Sequence, residues 1–269
     1  MTVLGLFLAW LVQAALPITG HITITEPMPA VMPAAVSGPT LAPTCQTQAN
    51  VLQFVWRALP GEEVDRASVE ARLTEIAGQV NYFFYVDSNS RTEYRLPAWK
   101  MTADCRLDVA YIQPDDPLKT IAGHKQIVIE ETTRYCGLAL LYPDNDKESN
   151  MNNGPTFAWV ARRCLHPRLV AHEILHALGA VQEEAPHFVE GFHVSDQRDL
   201  MAAFDNSPTC PSYETIDCGK DDYWSLAPTP GSYLDQHWNS ADSVFLVSLP
   251  RYYAFAPVMA LEGKFSDEH

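Results

Sequence analysis

Apolar and polar positions follow patterns along the chain that predict both helices and strands. Between residues 66 and 81, apolar side chains recur at spacings of three and four, which is typical of an amphipathic helix. Further helices are expected over residues 167–179 and 232–246. Short apolar runs between turn-forming residues predict strands from Val51 to Val55 and over residues 106–112, 126–130, 136–142 and 156–161. This order of elements, without internal repeats, indicates an α+β (mixed α/β) fold.

Changes in composition divide the chain into four segments. Residues 1–20 are mostly apolar and begin with a run too short to cross a ~30 Å hydrocarbon layer, so we expect a signal peptide or N-terminal anchor. No Lys or Arg precedes Arg57, so the usual basic n-region is missing. Residues 21–45 are rich in proline and predict an extended linker. Residues 46–250 are expected to form the folded domain and residues 251–269 a C-terminal tail.

Charge narrows the class of partner. The chain has 18 Lys and Arg against 33 Asp and Glu, a formal net charge of −15. Such a surface repels nucleic-acid phosphates and anionic lipids. We therefore expect a monomer with no nucleic-acid partner, and membrane contact only if the N-terminal segment stays uncleaved.

The six cysteines indicate an exported, disulfide-bonded protein. None lies in a C-x-x-C pair, so a cysteine zinc site is not expected. Six cysteines allow 15 connectivities, and spacing alone does not fix the pattern. Cys210 and Cys218 enclose a short loop and are the favoured local pair. Cys136 and Cys164 could bridge the approach to the 167–179 helix, which would leave Cys45 and Cys105 for each other by elimination.

The clearest chemical signal is the segment His172-Glu173-Ile174-Leu175-His176. On a helix, residues four apart lie about 40° from each other around the axis, so both imidazoles can face one zinc ion. Glu173 lies about 100° further round and can take a proton from a water molecule at the metal. The alternative is a structural helix that carries two incidental histidines.

A catalytic zinc usually takes a third protein ligand. Gly179, three residues after His176, continues the H-E-x-x-H-x-x-G pattern of the metzincin peptidases, but their third-ligand position is occupied here by Gln182, a poor zinc ligand. His193 is the favoured third ligand, and His187 is the alternative.

His193 is favoured because it shortly precedes Met201, the candidate Met-turn residue that would form an apolar floor beneath the histidines. Asp196 and Asp199 lie between them. They could hold a ligating imidazole by a hydrogen bond, bind Ca²⁺ with nearby carbonyls, or be solvated loop acids.

The residues from His172 to Met201, HEILHALGAVQEEAPHFVEGFHVSDQRDLM, resemble a group of secreted bacterial (actinomycete-type) metzincin-like zinc metalloproteases. In that group the helix motif continues into GAVQ, APH and H-C-x-D-x-x-D-x-M-C-Y. The similarity extends to CPSYETIDCGKDDYWSLAPTPGSYLDQHWNSADSVFL and, more weakly, to DCRLDV and YCG, and so covers most of residues 46–246. The resemblance implies a metzincin-like zincin fold, with a twisted mixed sheet, an active-site helix and a small C-terminal subdomain. It also implies Zn²⁺ on His172 and His176, with Glu173 as general base.

The chain departs from that family at three positions. Val194 and Ala202 stand where the family has two cysteines, and their joint replacement is what the loss of one mutual bridge would look like. Ala203 replaces the family's tyrosine, so no transition-state role is carried over to it.

We therefore expect a secreted zinc-dependent metalloendopeptidase whose protein or peptide substrate adds to the sheet along residues 156–161, expected to be an edge strand. The alternative is a catalytically silent, secreted zinc-containing binding module. A zinc hydrolase of non-peptide substrates is a third possibility, but nothing in the chain indicates a lipid or sugar pocket.

Overall fold

A computed structural model shows the chain folded around one mixed sheet. It describes residues 40–87, 93–202, 210 and 215–250, and the backbone of residues 22–26. The strands are β1 (Ile22–Glu26), β2 (Val51–Arg57), β3 (Glu93–Pro97), β4 (Ala110–Ile112), β5 (His124–Glu130), β6 (Gly137–Leu141), β7 (Thr156–Ala161), β8 (Phe188–Val189), β9 (His193–Val194) and β10 (Leu246–Pro250). The α-helices are α1 (Arg66–Val86), α2 (Pro167–Ala177) and α3 (Tyr233–Gln236), and 3₁₀ turns form at Met151–Asn153, Arg162–Cys164 and Ser240–Asp242.

The main sheet has the strand order β1-β6-β7-β5-β2-β4. Strands β7, β5, β2 and β4 are parallel, whereas β6 runs antiparallel to β7 and β1 runs antiparallel to β6. Two further pairs, β10 with β3 and β8 with β9, form small antiparallel sheets. Helices and a mainly parallel sheet agree with the mixed α/β class expected from the sequence.

The expectation that residues 156–161 form an edge strand was wrong. The strand forms as β7, but it is internal and pairs with both β5 and β6. Its residues are almost all buried, as expected for a strand covered on both faces. The sheet continues on that side with β6, and β1 lies along the outer side of β6.

Helix α1 packs its central residues into the main core and is longer than its spacing predicted. The Asp65 side chain accepts a hydrogen bond from the Ser68 N–H (3.2 Å) and so begins the helix. Phe83 and Phe84, beyond the expected end, are buried, and their burial extends the helix to Val86.

The helix expected over residues 232–246 forms only as the four residues of α3. Tertiary hydrogen bonds replace the helical ones that would follow. The Trp238 N–H donates to the Asn145 carbonyl (3.1 Å), and the Asn239 amide donates to the Ser225 carbonyl (2.7 Å). The end of the segment instead enters β10, which pairs with β3; the sequence patterns predicted neither strand.

Three disulfide bridges join Cys45 with Cys105, Cys136 with Cys164, and Cys210 with Cys218, which settles a connectivity that spacing left open. Intramolecular disulfides of this kind are typical of extracellular proteins. Among the described residues, no helix combines the length and apolar character needed to cross a bilayer. The expected signal or anchor segment at residues 1–20 and the tail at residues 251–269 lie outside the described residues.

Candidate metal centre

Helix α2 holds two of the predicted ligands, His172 and His176, which are both buried. Pro167 occupies its first turn, where a missing N–H has no cost, and the His166 ring accepts the Arg168 N–H at 3.2 Å. The helix ends at Ala177, and Gly179 follows with a φ of +81°. A side chain at Gly179 would be strained and would meet Asn152 at 2.5 Å, so the glycine stops the helix directly after the turn that carries His176.

A hairpin of β8 and β9 positions His193. The chain reverses through Gly191, which has a φ of +82°. A Cβ atom there would lie 3.0 Å from Nδ1 of His193, so the ring packs closely on the glycine backbone. No pattern in the sequence predicted this hairpin, although a glycine between two short apolar segments was the available signal.

The three histidines His172, His176 and His193 converge on one point. Nε2 of His193 lies 3.3 Å from Nε2 of His176 and 3.3 Å from Nε2 of His172. Tetrahedral ligation with zinc–nitrogen bonds of about 2.0–2.1 Å requires a separation of about 3.3 Å between ligating nitrogens. Nδ1 of His172 donates to the Leu200 carbonyl at 2.7 Å, which leaves the Nε2 lone pair directed at the shared point. This buried cluster could hold a metal ion.

Glu173 is fully buried, and its carboxylate lies against β6. An ideal Cβ built on Gly137 would fall 1.7 Å from Oε1 of Glu173. Gly137 pairs with Val160 of β7, so the sheet fixes the backbone under the carboxylate. Gly137 is therefore a site residue that sequence reasoning missed, since only its place in the weakly matching YCG segment distinguished it.

The backbone next to Met201 contacts α2, because the Leu200 carbonyl accepts from Nδ1 of His172. Met201 is fully buried, its N–H donates to Oδ1 of Asp199 (2.7 Å), and its carbonyl accepts from the N–H of Val194 (3.0 Å). Val194 and Ala202 form a parallel backbone bridge, so the two positions singled out by the resemblance lie side by side. Ala203 lies outside the described residues.

Asp199 is a buried structural acceptor. Besides Met201, its carboxylate accepts the N–H of Cys218 (2.8 Å) and the hydroxyl of Tyr223 (2.7 Å). Burial raises the pKa of Asp199 to about 6. These hydrogen bonds connect the turn before Met201 to the segment that contains Cys218 and Tyr223.

His187 lies outside the three-histidine cluster. The ring Nδ1 of His187 lies 2.9 Å from Oδ2 of Asp222, and the backbone N–H of His187 donates to Oδ1 of the same carboxylate at 2.7 Å. Asp196 approaches the ring at 3.6 Å. The hydrogen bond to Asp222 raises the pKa of His187 above its ordinary value.

Two further groups have donor atoms close enough for a cation. One is formed by His187, Asp196 and Asp222, and the other by Asp217, Asp221 and Asp222. Asp196 and Asp199, for which calcium binding was one of three alternatives, do not occur together in either group, and a calcium site stays a prediction.

No protein-family description, curated protein or solved structure matches this chain. The class therefore rests on the fold and the site alone. The chain is a mixed α/β protein with three disulfides and a buried three-histidine cluster that could hold a metal ion.

Proposed function

We propose that this protein is an exported zinc-dependent endopeptidase. The observation that carries the proposal is the meeting of three imidazoles, in which Nε2 of His193 lies 3.3 Å from Nε2 of both His172 and His176. The buried carboxylate of Glu173 lies on the same helix as His172 and His176. Imidazole binds several divalent metals. Nitrogen separations that fit a tetrahedron, with three imidazole ligands and a fourth position for water, favour catalytic zinc. The disulfides support export.

The chemistry divides between the metal and the chain. When bound, zinc would supply Lewis acidity that polarises the scissile carbonyl and acidifies the attacking water. Glu173 takes the proton of that water and returns it to the leaving amine. Gly137 leaves the space in which the Glu173 carboxylate lies, and the Leu200 carbonyl holds the His172 ring in the ligating tautomer.

The substrate would be an extended segment of protein or peptide. Such a segment binds a sheet by adding a strand through main-chain hydrogen bonds. The strand next to Glu173 is β6, because Gly137 is its first residue. We therefore propose the outer edge of β6 as the substrate edge, in place of the internal strand β7.

Metal content and hydrolysis test this function together. Purified full-length protein should bind one zinc ion through the three-histidine cluster and cleave fluorescein-labelled casein, and a chelator should abolish cleavage until zinc is restored. Glu173→Gln should keep the zinc and lose at least about 100-fold in kcat, because general-base catalysis contributes about 10²–10⁴.

Two histidine variants separate the ligand from its neighbour. His193→Ala should lose zinc, whereas His187→Ala, the matched control, should retain it because His187 contacts Asp222 and Asp196 instead. Wild-type protein that binds no metal, or undiminished cleavage by Glu173→Gln, would show that the proposal is wrong.

A catalytically silent, secreted zinc-containing binding module is the second candidate. The pairing of β1 with β6 favours it, because β1 covers the edge at which a substrate would bind. Stoichiometric zinc without hydrolysis, even by protein in which β1 has been released, would support this alternative. As in the peptidase, we expect a monomer that does not bind nucleic acid.

A further inference from the structure

Strand β1 pairs with β6 along its whole length. The antiparallel register runs from Ile22 opposite Leu141 to Glu26 opposite Gly137. An extended peptide that added to β6 would use the same row of backbone N–H and C=O groups. Because this side of β6 offers a single row of hydrogen-bonding groups, β1 and such a peptide exclude each other.

The end of β1 lies close to the proposed reaction centre. Glu26 is opposite Gly137, and the carboxylate of Glu173 lies against that glycine. The β1 backbone therefore reaches the point on β6 where the scissile part of a substrate would need to be. If β1 paired with another strand, the backbone of β6 at Gly137 would stay accessible to a substrate.

We propose that β1 is an intramolecular occupant of the peptide-binding edge of β6, and that a substrate binds by displacing it. This inference rests on the proposed function for its effect on catalysis, but the occupancy itself is independent of catalysis. Leu41, 15 residues after Glu26, is held on the core by its N–H, which donates to the Gly78 carbonyl at 3.0 Å. Because β1 and β6 belong to the same chain, β1 competes with a free peptide as an intramolecular ligand.

A pair of prolines in the full-length chain tests the occupancy. Successive residues of a strand direct their N–H groups to opposite sides, so Thr23→Pro with Ile24→Pro removes one donor to β6 whichever residue faces it. The matched control, Thr23→Ala with Ile24→Ala, changes the same side chains and keeps both donors. Equal metal content and equal thermal midpoints would show that all forms are folded.

Two measurements of the edge require no activity. In the proline variant, hydrogen exchange of the β6 amides should become faster, and a labelled peptide of residues 22–26, ITITE, should bind. In the wild type and the alanine control, β6 should stay protected and the peptide should bind more weakly. Unchanged exchange together with absent peptide binding in the proline variant would overturn the proposal.

Kinetics then test the link to catalysis. If β1 occupies the edge about nine-tenths of the time, its release should lower KM for a casein substrate about tenfold. The kcat should be unchanged, and the ITITE peptide should inhibit competitively. Hydrolysis with the same KM in all three forms would overturn the inference while leaving the peptidase function intact. A faster-exchanging edge that binds ITITE, in protein that never hydrolyses casein, would support the occupancy and overturn the proposed function.

Discussion

The substitution Gly137→Ala tests whether the sheet positions the carboxylate of Glu173, which we propose is the general base. Gly137 has no metal-binding group and does not lie on α2, so its replacement should not remove one of the proposed ligands. The added Cβ would fall 1.7 Å from Oε1 of Glu173, far inside the contact distance for these atoms. Since Glu173 is fully buried, the carboxylate has no open solvent into which it can move without disturbing its neighbours.

The size of the expected effect follows from that overlap. The carboxylate of Glu173 must move by more than about 1 Å to relieve it, and a misplacement of that size costs about 100-fold in rate. This factor corresponds to about 2.7 kcal/mol in activation free energy. We expect kcat for casein hydrolysis by Gly137→Ala to fall about 100-fold, while zinc content stays equal to that of the wild type.

A double-mutant cycle with Glu173→Gln identifies the cause. If Gly137→Ala acts by displacing the carboxylate, it should have little further effect once Glu173 no longer serves as a base. The control is Gly154→Ala, at a φ of −82°. Its Cβ would meet the Met151 carbonyl oxygen at 3.1 Å and would not touch Glu173, so its kcat should match the wild type. A Gly137→Ala enzyme with kcat within about threefold of wild type would refute the positioning argument, as would a full 100-fold loss on top of Glu173→Gln.

Three further predictions concern the surroundings of the site. Asp222→Asn should lower the pKa of His187 measured by NMR, and a variant whose imidazole titrates like the wild type would contradict this. Folding raises the pKa of His187, so its pair with Asp222 stabilises the protein fully below about pH 6.5 and loses this effect as pH rises through the folded pKa. In Asp222→Asn, the free energy of unfolding should therefore change less with pH over this range. Cys136→Ser with Cys164→Ser should lower the free energy of unfolding in urea by about 3 kcal/mol by opening a 28-residue loop, and an unchanged midpoint would show that the bridge is not stabilising. Asp199→Ala should cost about 2–4 kcal/mol, because two backbone N–H groups and a tyrosine hydroxyl lose their acceptor; calorimetry that finds less than about 1 kcal/mol would contradict this.

The elements that could be predicted from the sequence are those whose signals are local. Strand β7 has the bounds expected for it, because a continuous apolar run is enough to define a buried strand. Helix α2 begins at the expected Pro167 and ends just before Gly179, since both residues act on the backbone where they occur. Such signals need no knowledge of what lies beside the element.

The errors concern pairing between distant segments. An apolar run shows that a strand is buried, but it does not show which strands flank it, so β7 was taken for an edge although β6 lies beyond it. The helix expected over residues 232–246 failed for a related reason. The hydrogen bonds of Asn239 with Ser225 join positions that a helical pattern does not connect.

The choice between His193 and His187 was open for the same physical reason. The two imidazoles are chemically identical, and the residues beside each of them allow either to ligate. The chain reverses at Gly191, and this reversal brings His193 next to α2. The carboxylate of Asp222, 35 residues further along the chain, instead binds the ring of His187. One determinant is a turn conformation and the other is a long-range hydrogen bond, and neither is present in the spacing of the histidines.

The arrangement of the site links the metal cluster to the part of the sheet that β1 covers. His172 and His176 lie on the same helix as Glu173, and the Glu173 carboxylate lies against the first residue of β6. A change at Gly137 therefore acts on the carboxylate, and release of the outer edge of β6 acts on access of the substrate, whereas the His193 hairpin is built on a different segment. Metal affinity should accordingly depend on the hairpin, while the rate of proton transfer and access of the substrate should depend on β6. Because the two properties arise from separate segments, a variant that lowers one and spares the other identifies which segment it has disturbed.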